Sequence, residues 1–275
     1  MATKEEAEVL ASRARQGRFL EVLPELLDVA REDGDPDARL TAAAAAILIL
    51  LWSDRFGEAG RLAEELIARD GPSGGHLCDQ TMPFLYAFYG ADLHDGTPAA
   101  PRLLAAAAAV PEGRVLNRTF RQAAERLASG RTVRDDLEAY YDWGAPVGAN
   151  TRVIGADLLG RDPVELDARQ RRTFWSALHQ TRDLSRAREA YRALGEIPQD
   201  LNLAIWLAGA FAVAGEVPEG EAVLLAAHAV YWPLMQWDVL PAALVLLPTL
   251  RPVMTDRVRE YYLNRPIGPE AQRQD

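Results

Sequence analysis

The chain has 275 residues and a formal net charge of −10 at pH 7, with 49% hydrophobic and 25% charged residues, the balance of a water-soluble globular protein. Its 30 basic residues are 29 arginines and one lysine, Lys4, in the polar N-terminal segment. That count excludes a Walker-type phosphate loop, which needs its lysine on the nucleotide phosphates, pyridoxal or Schiff-base chemistry, which needs a buried lysine amine, and the protein kinases, which need one on a strand.

Apolar residues recur at three and four positions along nearly the whole chain, and no stretch alternates apolar and polar as a half-buried strand would. The prediction is an all-α protein of about a dozen helices joined by short loops. Thr3 with Glu6 has the spacing of a capping box and opens the first helix. Asp35-Pro36 opens another, which runs into the apolar stretch Ala42–Trp52, too short to cross a bilayer and alanine-rich, hence a buried helix. The segment 61–70, with Leu62, Leu66 and Ile67 on one face, is helical, and Thr97-Pro98 and Asp162-Pro163 with Glu165 mark later starts. Gly17, Gly34, Gly71, Gly90, Gly113, Gly130, Gly144, Gly195 and Gly215 read as stops. Residues 1–265 are expected to form one domain with a sub-lobe break near 144–150, and 266–275 a loose tail.

One cysteine, Cys78, excludes an internal disulfide, and the polar start Ala-Thr-Lys-Glu-Glu is unlike a secretory leader, so the cytoplasm is expected. The acidic charge repels nucleic-acid phosphates, and no basic cluster with interleaved aromatics offsets it, so neither nucleic acid nor a membrane is an expected partner. Scarce lysine beside abundant Ala, Arg, Gly and Pro also fits a GC-rich bacterial genome of the actinobacterial kind.

Self-similarity appears around Gly215, where Leu207, Ala208 and Phe211 precede Val217, Gly220, Leu224, Ala227 and Pro233. Three segments echo it. Ala46, Ile47 and Leu50 precede Phe56, Ala59, Ala63, Leu66 and Pro72; Phe174 and Leu178 precede Leu184, Ala187, Tyr191, Leu194 and Pro198; Gly17, Phe19, Val22, Leu26 and Val29 match a second helix alone. This pattern of small residues at close crossings and large ones in the grooves resembles the tetratricopeptide repeat (TPR). It covers about half the chain and leaves 76–160 unassigned. Departures include Trp175 at a position that the family keeps small, Trp206 away from the family's tryptophan position, and prolines one residue late or early. The resemblance implies a right-handed superhelix of antiparallel helix pairs that binds protein or peptide.

Catalytic patterns fail on context. Gly71-Pro72-Ser73-Gly74-Gly75 spells the G-x-S-x-G of a hydrolase elbow, but it follows a helix where a strand is required. Asp135, Asp136 and Glu138 invite comparison with the aspartate-rich segment of terpene synthases, yet the second metal motif of that chemistry is missing from the sequence. The histidines His76, His94, His179 and His228 are dispersed, with no helical pair to converge on a metal. No cofactor or metal is expected. The remaining candidate is a recognition patch of Asp135, Asp136, Glu138, Tyr141, Asp142 and Trp143, rigid aromatic area beside carboxylates; in helical packing Tyr140 falls to the core and Tyr141 stays outside with the acids. A second aromatic group, Tyr231, Trp232, Trp237, Tyr261 and Tyr262, reads as the closure of the hydrophobic end.

The sequence therefore points to a non-catalytic protein–protein interaction module, an adaptor, regulatory subunit or immunity-type protein, whose partner is a basic protein or peptide. The alternative is an all-α enzyme or small-ligand carrier with an aromatic-lined cavity.

Overall fold

The computed structural model describes residues 2–32, 34–71, 81–139, 141–143, 153–235 and 237–273, and among these there is no strand. Cys78, His76, Tyr140, the G-x-S-x-G run beyond Gly71 and the break expected at 144–150 lie outside the described residues. The chain divides into two compact units, each assembled from separate segments: 1–137 with 232–246 and 259–275, and 138–231 with 247–258.

In the first unit, α1 (Lys4–Arg13) begins at the expected capping box, with Thr3 accepting from the Glu6 amide and Glu6 accepting from the Thr3 amide. A kinked turn, Ala14–Arg18, in which Gly17 leaves the helical conformation, leads into α2 (Phe19–Arg31). Gly17 is needed in that turn twice over: its φ is 84°, and a Cβ there would lie 3.2 Å from the backbone of Asn264 and Arg265. Asp35 caps α3 (Pro36–Trp52), in which every residue from Ala38 to Trp52 is buried. A helix apolar on all faces must be surrounded, and α3 packs against α1, α2, α4 (Phe56–Asp70) and α5 (Thr81–Asp95).

Gly90, expected to end a helix, lies inside α5. Its role is close packing: a Cβ there would come within 2.8 Å of Leu51 and 3.0 Å of Phe56. Helices α6 (Ala99–Ala109) and α7 (Val115–Ala128) pack on each other. The start at Thr97-Pro98 holds, but its first amide, that of Ala99, donates to Asp92 at 2.7 Å. The boundary between the units falls within α8 (Val133–Glu138).

The second unit contains α9 (Ala168–Thr181), α10 (Leu184–Leu194), α11 (Leu201–Val213) and α12 (Val217–Ala227). The helix expected after Asp162-Pro163 is a single 3-10 turn there, Pro163–Glu165, and α9 starts five residues later on a capping box of Asp167 and Gln170. Helices α9 and α11 begin 33 residues apart, at 168 and 201, as do α10 and α12, at 184 and 217. Gly195 ends α10 in the left-handed conformation, φ 66°. Two short helices follow: α13 (Ala242–Leu246), in the first unit, and α14 (Asp256–Leu263), in which the unit boundary falls between Val258 and Arg259.

The segment from 266, expected as a loose tail, is anchored in the first unit. Ile267 is fully buried and its amide donates to the Arg15 carbonyl at 2.9 Å. Glu270, only 4% exposed, accepts from the Ser12 hydroxyl at 2.8 Å and from the Arg15 guanidinium at 3.1 and 3.2 Å. The segment's polar composition reads as a tail; two polar side chains on the kinked turn and its flank are what hold it. Burial disfavours the charged form of Glu270, but its bonds to Arg15 and Ser12 outweigh this and hold the carboxyl below the usual range.

A carboxyl whose native pKa is depressed contributes stability above the ordinary glutamate range and loses it as pH falls. Glu270→Gln is therefore expected to lower stability at pH 7 by about 1.5 to 3 kcal/mol, the value of hydrogen bonds to a charged group. The gap to wild type should close as urea midpoints are followed down through about pH 4. A gap that persists unchanged at pH 3 would show that the charge plays no part.

Candidate interaction surface

The six residues expected to form a recognition patch take different places. Asp135 is exposed and closes a capping box with Thr132, accepting from its amide at 2.9 Å and its hydroxyl at 2.8 Å. Asp136, one residue on, is turned inward: its side chain is 7% exposed, it accepts from Arg126 Nε at 2.5 Å and Nη2 at 2.7 Å, and the Tyr89 hydroxyl donates to it. Burial disfavours its charge, yet the bonds from Arg126 and Tyr89 hold its carboxyl below the ordinary aspartate range. Tyr89 is pushed up, first by its burial and then by that carboxylate. This is a clamp joining α5, α7 and α8 within the first unit.

The other four belong to the second unit. Glu138 accepts from the Thr249 amide at 2.8 Å and from its hydroxyl at 2.5 Å. Tyr141, expected outside, is 5% exposed; its ring stacks on Trp143 at 5.1 Å, and its hydroxyl donates to Asn202 at 3.2 Å. Trp143 is 7% exposed, donates its indole N–H to the Trp206 carbonyl at 2.9 Å, and lies where a Cβ on Gly209 would stand, 2.2 Å away. Asp142 stays exposed, at 3.9 Å from Arg182. The aromatic area of the expected patch is thus buried packing, and the carboxylates left at the surface are Asp135 and Asp142. The physical reason is the backbone after α8: the helix ends at Glu138 and Asp142 takes a positive φ of 39°, so helical periodicity no longer dictates which side chain points outward.

The second aromatic group is divided in the same way. Tyr262 is fully buried and stacks on Trp52 at 4.8 Å, and Trp237 is buried, but Trp232 is half exposed beside exposed Leu234 and Met235. His94 lies flat on Phe56 at 3.7 Å, and His179 meets the edge of Trp206 at 5.3 Å. Among the described residues no three His, Cys, Asp or Glu side chains are grouped to hold a metal ion.

Acid and apolar surface do come together elsewhere. Between α1 and the end of α2, a surface groove of about 660 Å³ has Val9, Leu10 and Val29 in its lining and the carboxylates of Glu5, Glu6 and Glu32 around them. Val9 is 55% exposed, an uncovered apolar side chain among three acids. One Glu6 oxygen accepts from Thr3; Glu5 and Glu32 are exposed. The acidic start of α1 was visible in the sequence as a helix-opening signal. Its pairing with Val29 and Glu32 was not, because only the fold back through the kinked turn at Gly17 brings them beside Val9. A groove in the second unit, lined by Arg161, Asp162, Asp183, Arg186 and Glu189 over Phe174, mixes both charges, and the Arg186 guanidinium already lies over the Phe174 ring.

The fold defines an all-helical protein of two compact units, and no helix among the described residues is long and apolar enough to cross a membrane. Comparisons of the chain with protein-family models, with curated proteins and with solved structures find no match.

Proposed function

We propose that the protein is a non-catalytic interaction module of the bacterial cytoplasm that binds a basic protein or peptide, as an adaptor, regulatory subunit or immunity-type protein does. The observation that carries this reading is the acid-rimmed apolar groove of Glu5, Glu6, Val9, Leu10, Val29 and Glu32. Its apolar lining supplies desolvation energy, and its three carboxylates favour cationic ligands and disfavour acidic ones. The net charge of −10 adds long-range steering of the same sign.

The proposal extends to repeats of the tetratricopeptide kind. Two features support it: the 33-residue spacing of both helix series in the second unit, and the packing of α11 against α9, α10 and α12.

Fluorescence anisotropy with labelled 16-residue peptides tests the binding reading. Arginine-rich peptides are expected to bind, and to lose roughly tenfold in affinity as ionic strength rises from about 20 to 200 mM, where the screening length shortens severalfold. Glutamate-rich peptides of equal length should not bind. Equal binding of both, or none by either at low salt, would overturn it.

A further inference from the structure

We infer that the groove between α1 and α2 takes its basic ligand as an amphipathic α-helix, with an apolar stripe seated on Val9, Leu10 and Val29 and cationic side chains reaching Glu5 and Glu32. The inference rests on the proposed binding of basic partners and specifies the form that such a partner takes.

The walls decide the form. Both are helical segments, α1 along its N-cap Thr3 to Leu10 and the last turn of α2 at Val29 with its cap Glu32; at these ends the Glu6 amide bonds the Thr3 hydroxyl and the Ala30 and Arg31 carbonyls accept from Arg69, so neither wall presents a row of backbone groups for pairing. An extended peptide laid between them would find no sheet edge to pair with and would lose hydration of its own backbone without replacement. A helical ligand brings its backbone already satisfied and offers only side chains, which is what a groove between two helices can receive.

The dimensions agree. Thr3 to Leu10 is two turns of α1, about 10 Å at 1.5 Å per residue, so the groove matches about two turns of a ligand helix. Over that length apolar anchors fall at i, i+3, i+4 and i+7. Glu5 and Val9 stand four apart on α1, on one face, so a ligand whose apolar stripe covers Val9 places its flanking position over Glu5. Glu32 provides the opposite rim from the end of α2. Lys4, the single lysine, is not among the lining residues.

The test compares three 16-residue peptides with the full chain at low salt. The first is a Leu/Arg peptide with its leucines at i, i+3, i+4 and i+7; the second has the same composition with the stripe scrambled; the third keeps the stripe but replaces arginine by glutamate. The first is expected to bind at least tenfold more tightly than the second, and the third not to bind. Val9→Ser should bring the first peptide close to the second, while Val9→Leu keeps its affinity and both variants keep the wild-type circular dichroism spectrum. Glu5→Gln with Glu32→Gln should flatten the salt dependence. Equal affinity for the first two peptides would overturn the helical form and leave the basic-partner reading standing. Failure of every basic peptide to bind would overturn both, and tight binding untouched by the Val9 and glutamate changes would place the ligand elsewhere and overturn the inference.

Discussion

Trp143→Ala is expected to lower the stability of the protein by about 3 to 5 kcal/mol, the range for removing a buried tryptophan. The indole is 7% exposed, stacks on Tyr141 and supplies the hydrogen bond to the Trp206 carbonyl. Its removal leaves a cavity over Gly209, strips Tyr141 of its stacking partner and leaves that carbonyl without the indole donor. Gly209 gives a way to separate packing from the hydrogen bond. Gly209→Ala would add a methyl where the indole now stands, 2.2 Å from it, and should cost about 1 to 3 kcal/mol as overpacking despite alanine's better helix propensity. In the double variant the methyl occupies space that the indole has vacated, so the two losses should be clearly less than additive. Urea denaturation followed by circular dichroism measures all three. A loss below about 1 kcal/mol for Trp143→Ala is the outcome that would place the indole outside the core.

Arg39→Met is the second large effect, about 3 kcal/mol, at the lower end of the range for breaking a buried ion pair. Arg39 and Asp70 have side chains 9% and 5% exposed. The Arg39 guanidinium donates to both Asp70 oxygens and to the Gly34 carbonyl, tying the start of α3 to the end of α4. Removing the cation takes from a buried carboxylate the guanidinium that bonds both of its oxygens. Arg69, whose Nε lies 3.6 Å from Asp70, remains and softens the loss. The double change Arg39→Met with Asp70→Leu removes both charges together and should recover most of the stability, since an apolar pair of similar volume replaces a desolvated ion pair at little net cost. The same urea experiment reads it. A double variant no better than Arg39→Met would mean that the site needs the geometry of the guanidinium fork and not just charge balance.

Much of the helical framework was readable because it is written in local chemistry. Thr3 with Glu6 and Asp35 with Pro36 open helices where their oxygens and spacing predict, and Ala42–Trp52 lies within a helix buried on all sides, as an apolar run too short for a membrane requires. Asp162-Pro163 carried the same signal and opened only one 3-10 turn, since Asp167 with Gln170 offers a complete capping box five residues on. Glycine's tolerance of a left-handed cap makes Gly90 resemble a stop; its actual use, a close approach by Leu51 and Phe56, depends on residues that the local sequence does not contain.

The candidate site was less readable for the same reason. Asp135 and Asp136 are neighbours with identical side chains, yet one caps a helix at the surface and the other is closed between Arg126 and Tyr89. Thr132, three residues before Asp135, marks that residue for a capping box, but nothing nearby marks Asp136 for burial: which side of the helix meets α5 and α7 is decided by the packing.

What the sequence determined by itself is the class: an all-helical chain, acidic, with arginine almost wholly in place of lysine. Periodicity, capping and composition act over a few residues and are complete in the sequence. Which apolar faces are covered was decided only by the tertiary structure, which buries Tyr141 and Trp143, draws Ile267 and Glu270 onto the first unit and leaves Val9 open among Glu5, Glu6 and Glu32. The hydrophobic effect has no direction of its own, so a sequence specifies how much apolar surface must be buried, while the choice of partner waits on which segments the folded chain brings together.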